Sequence, residues 1–278
     1  MDLPAPGTTR LEVLRAVEEG WQAFCRAPWS FLLFQALALV LAAPFALLGL
    51  GGMLRLRSAE PAFLPPVAAG AALVVGLVGY AVVALWGLIG LVRGAWLCLE
   101  GQRPSFRSFT RWDCAAAGRL LLSLLLVLVL VSAAALAAAA AGAGLARLNA
   151  VLTGLPLLLF AAAYLWFLVT QKFLVQRSLL GSRQPQQALR AGVAVVNPSW
   201  WTVLWLAIVE SVMHVIALLF NYGGLFVILP VTICVSTAAY RQLFGAQDLT
   251  GLLGSSDGGI HGGNDGGSHG SAAGAEQG

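Results

Sequence analysis

The sequence predicts an all-α, polytopic integral membrane protein with six transmembrane helices. Three observations indicate this class. Of the 278 residues, 59% are hydrophobic and only 10% are charged, whereas about 25% of the residues of a soluble domain are charged. Apolar segments of about 20 residues, long enough to cross a bilayer, recur along the chain. Lysine and arginine concentrate in alternate connecting segments, as they do in cytoplasmic loops.

The predicted spans form a membrane domain over residues 30–245. An amphipathic N-terminal segment, 1–29, precedes this domain, and a glycine-rich tail, 246–278, follows it. The composition of the tail predicts a disordered cytoplasmic segment. The spans run approximately from Phe31 to Leu50, Val67 to Val92, Leu120 to Ala140, Val151 to Thr170, Trp201 to Phe220 and Tyr222 to Tyr240.

The distribution of basic residues predicts the orientation of the protein in the cell (cytoplasmic) membrane. With the N-terminus inside, thirteen of the 16 lysine and arginine residues fall in cytoplasmic segments, so both termini are predicted to be cytoplasmic. The net charge of +4 comes from arginines scattered beside apolar runs, which favours anionic lipid headgroups over nucleic acid as the partner. The candidate headgroup contacts are Arg103, Arg107, Arg111, Arg183 and Arg190.

A segment typical of a helix lying in the membrane surface precedes the first span. Thr9 and Glu12 have the spacing of a reciprocal helix cap. The apolar residues that follow are predicted to share one face of this helix. They are Leu11, Leu14, Val17, Trp21 and Phe24.

Similar segments precede the third and fifth spans. Residues 103–119 place aromatic residues among arginines, and residues 182–201 carry an apolar stripe that ends at an Asn-Pro pair. Aromatic rings beside arginines are typical of interfacial helices. The chain therefore has three units of surface helix plus membrane hairpin. Either these units are repeats around a central cavity, or Pro and Trp simply mark the entry to each span.

Small residues in the second span predict close helix packing. Gly87, Gly90 and Gly94 lie at helical spacing, and the last two form a GxxxG pair. Two interpretations are open: packing within one chain, and the interface of a homodimer or of a complex with another membrane protein.

Sequence motifs for catalysis or cofactor binding are absent, so the prediction is a protein that is not an enzyme and has no cofactor. His261 and His269 lie near Asp257 and Asp265 in the tail. A metal held there would have to order a flexible glycine-rich segment, so no metal site is predicted.

Three stretches carry a resemblance to a known family: GQRPSFRSF after the second span, QQALRAGVAVVNPSWWTVLWL entering the fifth, and LPVTICVSTAAYRQLFG at the end of the sixth. Up to Gly245 the chain resembles an uncharacterised bacterial family of six-helix integral membrane proteins. That family is related to the membrane domain of some glycerophosphodiester phosphodiesterases. The resemblance implies six spans in the cytoplasmic membrane and no catalytic residues.

Two ionisable residues inside the fifth span form a candidate polar site. Glu210 lies nine positions after Trp201, near the middle of the bilayer at about 1.5 Å per residue. His214 and Asn221 share its helix face, which must point into the protein because an unpaired polar group is costly in hydrocarbon.

Two interpretations of this site remain open. In the first, Glu210 makes a structural hydrogen bond to His214 or to a polar group on another span. The polar candidates are Gln35, Thr153, Tyr164, Thr232 and Ser236. In the second, Glu210 and His214 serve a small-solute or proton-coupled transporter. The favoured function is a structural, assembly or lipid-interacting role, with transport as the alternative.

Overall fold

A computed structural model describes residues 11–57, 65–147, 154–182, 184–219 and 222–253. All regular secondary structure in these ranges is helical. In chain order the helices are α1 (Val13–Arg26), α2 (Pro28–Arg57), α3 (Pro66–Leu99), α4 (Phe106–Thr110), α5 (Cys114–Ala146), α6 (Gly154–Thr170), α7 (Leu174–Gly181), α8 (Pro185–Val196), α9 (Trp200–Leu219) and α10 (Tyr222–Phe244).

The predicted fold class, an all-α polytopic membrane protein, is confirmed. Five helical runs are long and apolar enough to cross a membrane, and α6 with α7 makes a sixth if this pair, bent by 49°, is one span. The five are α2, α3, α5, Pro185–Leu219 and Phe226–Phe244.

Helix α1 packs into the bundle rather than lying free on its surface. It runs against α10, and a Cβ atom placed on Gly20 would lie 2.5 Å from the Cα atom of Val235. Only a residue without a side chain permits this approach.

The predicted apolar face of α1 is divided between two environments. Leu11 and Phe24 are buried, whereas Leu14 and Trp21 are 82% and 52% exposed. The buried side therefore contacts protein, while the exposed side offers an apolar surface to the surroundings. Glu12 precedes the helix without a side-chain cap, and Thr9 lies outside the described residues.

The second predicted surface helix is shorter than expected, because only the five residues of α4 are helical before α5 begins. Arg93 on α3 donates from Nη1 to the carbonyl oxygens of Ser108 and Arg111, at 3.3 and 2.9 Å. These two carbonyl oxygens therefore bond to a side chain of α3 instead of to backbone amides of a longer α4. Asp113 then starts α5, since its Oδ1 accepts a 2.9 Å hydrogen bond from the Ala116 amide.

The third predicted surface helix forms α8 and continues into α9 through the 3₁₀ turn Asn197–Ser199. Indole groups attach this turn to α6. The Trp166 Nε1 donates to the Asn197 Oδ1, and the Trp200 Nε1 donates to the Trp166 carbonyl, both at 3.4 Å.

A break in the backbone separates α6 from α7, which ends in the π-helical turn Arg177–Gly181. Arg177 is buried there. Its Nη2 donates to the Gln187 carbonyl at 3.0 Å, and its guanidinium lies 5.1 Å from the centre of the Phe244 ring. These contacts hold α7 against α8 and α10.

Buried side chains collect at one end of the bundle. The last part of α3 is almost continuously buried from Ile89 to Trp96, whereas the opposite ends of α2 and α3 expose leucine and valine, as lipid-facing helices do. The largest fully buried side chains include Trp96, Phe31, Phe34, Phe109, Leu120 and Leu206. In the predicted orientation this end is cytoplasmic.

The small residues of α3 are used for packing within the chain. A Cβ on Gly90 would lie 2.4 Å from the Phe34 ring, and one on Gly94 would lie 2.1 Å from the Phe109 ring. Gly87 faces Ala38 of the same chain at 3.7 Å. The GxxxG pair therefore receives two aromatic rings from α2 and α4.

The segment 246–253, which the sequence assigns to the start of the disordered tail, contacts the bundle. The Leu249 amide donates to the Leu180 carbonyl at 2.9 Å, and Leu252 is buried. The rest of the predicted tail, with its histidines and aspartates, lies outside the described residues.

Candidate functional site

Glu210 faces the protein interior, as its sequence position predicts. It lies on α9 in a stripe of buried residues with Val203, Leu206 and Ala217, and it is only 4% exposed. The opposite face of α9 exposes apolar side chains to the surroundings. These include Trp201, Trp205, Ile208, Val212, Val215 and Leu219.

Both carboxylate oxygens of Glu210 have partners. Oε2 forms a salt bridge with the ammonium group of Lys172, and Oε1 accepts a 2.8 Å hydrogen bond from the Ser236 hydroxyl. Ser236 is one of the hydrogen-bond partners that the sequence predicts. The site therefore joins α9, α10 and the break between α6 and α7.

His214 does not contact the carboxylate of Glu210. Its Nδ1 donates to the Glu210 main-chain carbonyl at 2.7 Å, one turn earlier on the same helix. The predicted carboxyl–imidazole pair is thus replaced by a local bond that satisfies the helix backbone. Asn221, the third predicted member, lies outside the described residues.

Lys172 is the residue that sequence analysis of this site missed. Because Lys172 follows an apolar span, the charge count placed it in a cytoplasmic loop. The bend after Thr170 turns it back toward α9, although 38 positions separate it from Glu210. One signal was present: Lys172 is the only lysine in a chain that otherwise uses arginine.

A second candidate site is a cavity of about 750 Å³ at the buried end of the bundle. Three arginines line it: Arg93 from α3, Arg107 from α4 and Arg111 from the loop after α4. Two of them, Arg107 and Arg111, are predicted headgroup contacts. The polar groups beside them are Gln102, Ser105, Ser108 and Thr110.

The predicted headgroup arginines are only partly brought together. Arg103 and Arg190 are exposed, and neither lines this cavity. Arg183 lies outside the described residues.

Arg93 was not predicted as a site residue, because its position in an apolar segment suggests only a helix end. It is 4% exposed. Its Nη1 holds the α4 loop, whereas its Nε and Nη2 have no hydrogen-bond partner within the described ranges. These two atoms form the side edge of the guanidinium, which binds oxyanions through two parallel hydrogen bonds.

The carboxylates whose charges reach Arg93, Asp113 and Asp248, are both used elsewhere. Asp113 caps α5. Asp248 accepts hydrogen bonds from the amides of Thr250, Gly251 and Leu253 within its own loop. The ion pairs among the described residues are Arg15 with Glu19 and Lys172 with Glu210. Neither Arg93 nor Arg107 is in one.

The apolar side of the cavity comes from Leu97 on α3 and from Leu252 and Leu253 of the C-terminal segment. Nearby, Phe106 and Trp112 are about two-fifths exposed, at 40% and 43%. The cavity therefore combines cationic, hydroxyl and apolar surface.

The fold and its sites define a helical, membrane-spanning protein with a buried ion pair and an arginine-lined cavity. Comparison with known proteins adds no family to this class. No protein-family model, no curated protein and no solved structure matches the chain. The resemblance to the six-helix membrane family stays a prediction.

Proposed function

We propose that this chain is a non-enzymatic, lipid-binding structural component of the cytoplasmic membrane, with its arginine-bearing end at the inner leaflet. The observation that carries the proposal is the cationic cavity, where Arg93 and Arg107 have no carboxylate partner among the described residues. Arg93 is buried, and a buried cation without a partner is costly, whereas Arg107 and Arg111 are exposed and add positive charge at the mouth of the cavity. An anionic headgroup from the surrounding leaflet would supply the missing charge.

Exposed tryptophans support the same placement. Indole rings concentrate where a protein crosses the headgroup region. The exposed examples that lie beside the basic segments are Trp21, Trp29, Trp112 and Trp201.

The Glu210 site supports a structural role. Lys172 and Ser236 occupy both carboxylate oxygens, so the group is already satisfied by protein contacts that tie α9 to α10 and to the α6–α7 break. A proton-transfer group would instead need a carboxylate oxygen that is accessible to water or to a substrate.

One observation favours transport as a second candidate. The Lys172–Glu210 pair lies at the break of a bent helix pair, and broken helices with ionisable residues form the binding sites of many transporters. Proton flux through reconstituted protein distinguishes this candidate from the structural role, because only a transporter should show flux that depends on Glu210.

Lipid selectivity tests the proposal. Protein purified in neutral detergent is exposed to an equimolar mixture of phosphatidylglycerol and phosphatidylcholine, and native mass spectrometry measures which lipid is retained. We expect enrichment of phosphatidylglycerol that falls as the salt concentration rises. The distance over which charges interact, the Debye length, shortens from about 10 Å at 0.1 M salt to about 3 Å at 1 M. Equal retention of both lipids would contradict the lipid-binding role.

A further inference from the structure

Arg93 lines the cavity, and its guanidinium has one bonded edge and one unbonded edge. Arg93 is held because Nη1 bonds to the carbonyls of Ser108 and Arg111. The Nε and Nη2 atoms on its other edge are buried and lack partners among the described residues. Buried polar groups in native proteins almost always have a partner, so an unpartnered pair calls for an explanation.

We propose that this cavity is a binding site for a phosphate group, bounded by Arg93, Arg107 and Arg111. The proposal rests on the lipid-binding function proposed above and deepens it, since it names one site and one chemical group. Arginine suits a phosphate because its planar fork matches two oxygens at once. The hydroxyls of Ser105, Ser108 and Thr110 line the same cavity and can donate to the remaining oxygens.

A metal cation does not fit the described part of this site, because no carboxylate is among the described residues that line it. A single carboxylate ligand fits less well than a phosphate. The cavity of about 750 Å³ presents three guanidinium groups around its wall, and the several oxygens of a phosphate can contact more than one of them.

The apolar wall indicates that the phosphate is attached to a lipid. Leu97, Leu252 and Leu253 line the cavity opposite the polar groups, and such a surface accommodates the glycerol and first acyl carbons beside the headgroup. Basic pockets between membrane helices on the cytoplasmic side bind anionic headgroups in this way. A water-soluble phosphate monoester offers the same phosphate chemistry without the acyl chains.

The C-terminal segment builds part of the site. Asp248 holds a tight loop by accepting the amides of Gly251 and Leu253, at 3.0 and 2.8 Å, and this loop places Leu252 and Leu253 against the cavity. The C-terminal segment therefore supplies one wall of the cavity.

Binding of three related probes to the full-length protein tests the proposal. The probes are dihexanoylphosphatidylglycerol, dihexanoylglycerol, which lacks the phosphate, and glycerol 3-phosphate, which lacks the acyl chains. Affinity is measured by calorimetry in a neutral detergent. Arg107→Gln is compared with Arg103→Gln, a matched variant because Arg103 is exposed in the same connecting segment and does not line the cavity.

We expect the phospholipid to bind and Arg107→Gln to weaken it about tenfold or more, since hydrogen bonds to charged groups contribute that much. Arg103→Gln should change the affinity less than about twofold, as a screened surface charge does. Arg93→Lys keeps the charge but loses the fork, so it should also weaken binding. Its melting temperature without lipid shows whether the fold is retained.

The outcomes separate the sources of the phosphate. Weak or undetectable binding of glycerol 3-phosphate supports a lipid headgroup, whereas equal binding that is lost in Arg107→Gln supports a site for a soluble phosphate. Equal binding of dihexanoylglycerol and the phospholipid, or equal effects of Arg107→Gln and Arg103→Gln, would overturn the proposal. Enrichment of phosphatidylglycerol that Arg107→Gln leaves intact would reject the cavity while keeping the lipid-binding function.

Discussion

At the scale of single residues, the molecule places one carboxylate deep in an apolar helix and pairs it with its only lysine. Burying two charges costs several kcal/mol each, so a buried pair adds little net stability compared with apolar residues. Removing one partner is different, because the other charge is then left unpaired. The Lys172–Glu210 pair is therefore expected to hold three helices in register rather than to make the fold exceptionally stable.

Glu210→Gln should destabilise the protein by roughly 2 to 3 kcal/mol, somewhat less than for a fully buried pair, because the Lys172 side chain is 24% exposed. Thermal unfolding in detergent, followed by circular dichroism, measures the change. Glu18→Gln is the control, since Glu18 is exposed and accepts a hydrogen bond from Gln22 on the same helix, and its effect should stay within about 0.5 kcal/mol.

The double variant Glu210→Gln with Lys172→Met isolates the interaction between the two charges. We expect it to be more stable than the sum of the two single changes predicts, by about 0.5 to 3 kcal/mol. Each single variant leaves one unpaired charge, whereas the double variant leaves none. Strict additivity in this double-mutant cycle would show that the ion pair makes no energetic contribution.

Sequence patterns predicted the inward direction of Glu210 and included Ser236 among its partners, because helical periodicity determines which face a residue occupies. They did not predict Lys172 or the separation of His214 from the carboxylate. The position of Lys172 depends on the bend after Thr170, whereas the His214 ring bonds to the backbone of its own helix. A change of direction within three residues has no clear signal in an apolar sequence.

At the scale of elements, α1 shows that an amphipathic pattern predicts a helix but not the helix that it packs against. The pattern predicted a helix, and a helix is present, but it did not predict that α1 packs against α10 through Gly20. Glycine has no side chain and adds nothing to a hydrophobic pattern, so the periodicity of the sequence does not predict a close contact between two backbones. The short α4 has a similar cause, since Arg93 bonds to its carbonyls from another helix.

Gly20→Ala should destabilise the protein by about 1 to 3 kcal/mol, because the new Cβ would lie 2.5 Å from the backbone of Val235 and α1 would have to shift. Gly118→Ala on α5 is the matched control. Nothing lies within 4 Å of its Cβ position, so alanine should be neutral or slightly stabilising there. Equal melting temperatures for the two variants would show that α1 is not held in this position.

At the scale of the whole molecule, the buried core and the arginine-lined cavity share one end of the bundle. Toward the opposite end α2 and α3 expose leucine and valine, and α2 closes with Arg55 and Arg57. The distribution of charge predicted a basic cytoplasmic side but not the location of the core. Composition could not predict the cavity, because its wall is assembled from α3, α4 and the segment after α10.

Six spans require both termini on the same side of the membrane, whereas five would place them on opposite sides. We expect the bent pair α6–α7 to complete a sixth crossing, with both termini in the cytoplasm. Reporter fusions that are active only inside or only outside the cell, placed in turn at each terminus, measure this directly. Opposite locations for the two termini would exclude the six-span topology.

The central claim is that the intramembrane ion pair is structural and does not conduct protons. Proton flux into vesicles that contain the purified protein tests it most directly, with wild type compared with the Glu210→Gln and Lys172→Met double variant at matched folded content. We expect both proteins to give the flux of protein-free vesicles. Wild-type flux above that level, lost in the double variant, would contradict the structural role and establish Glu210 as a proton site.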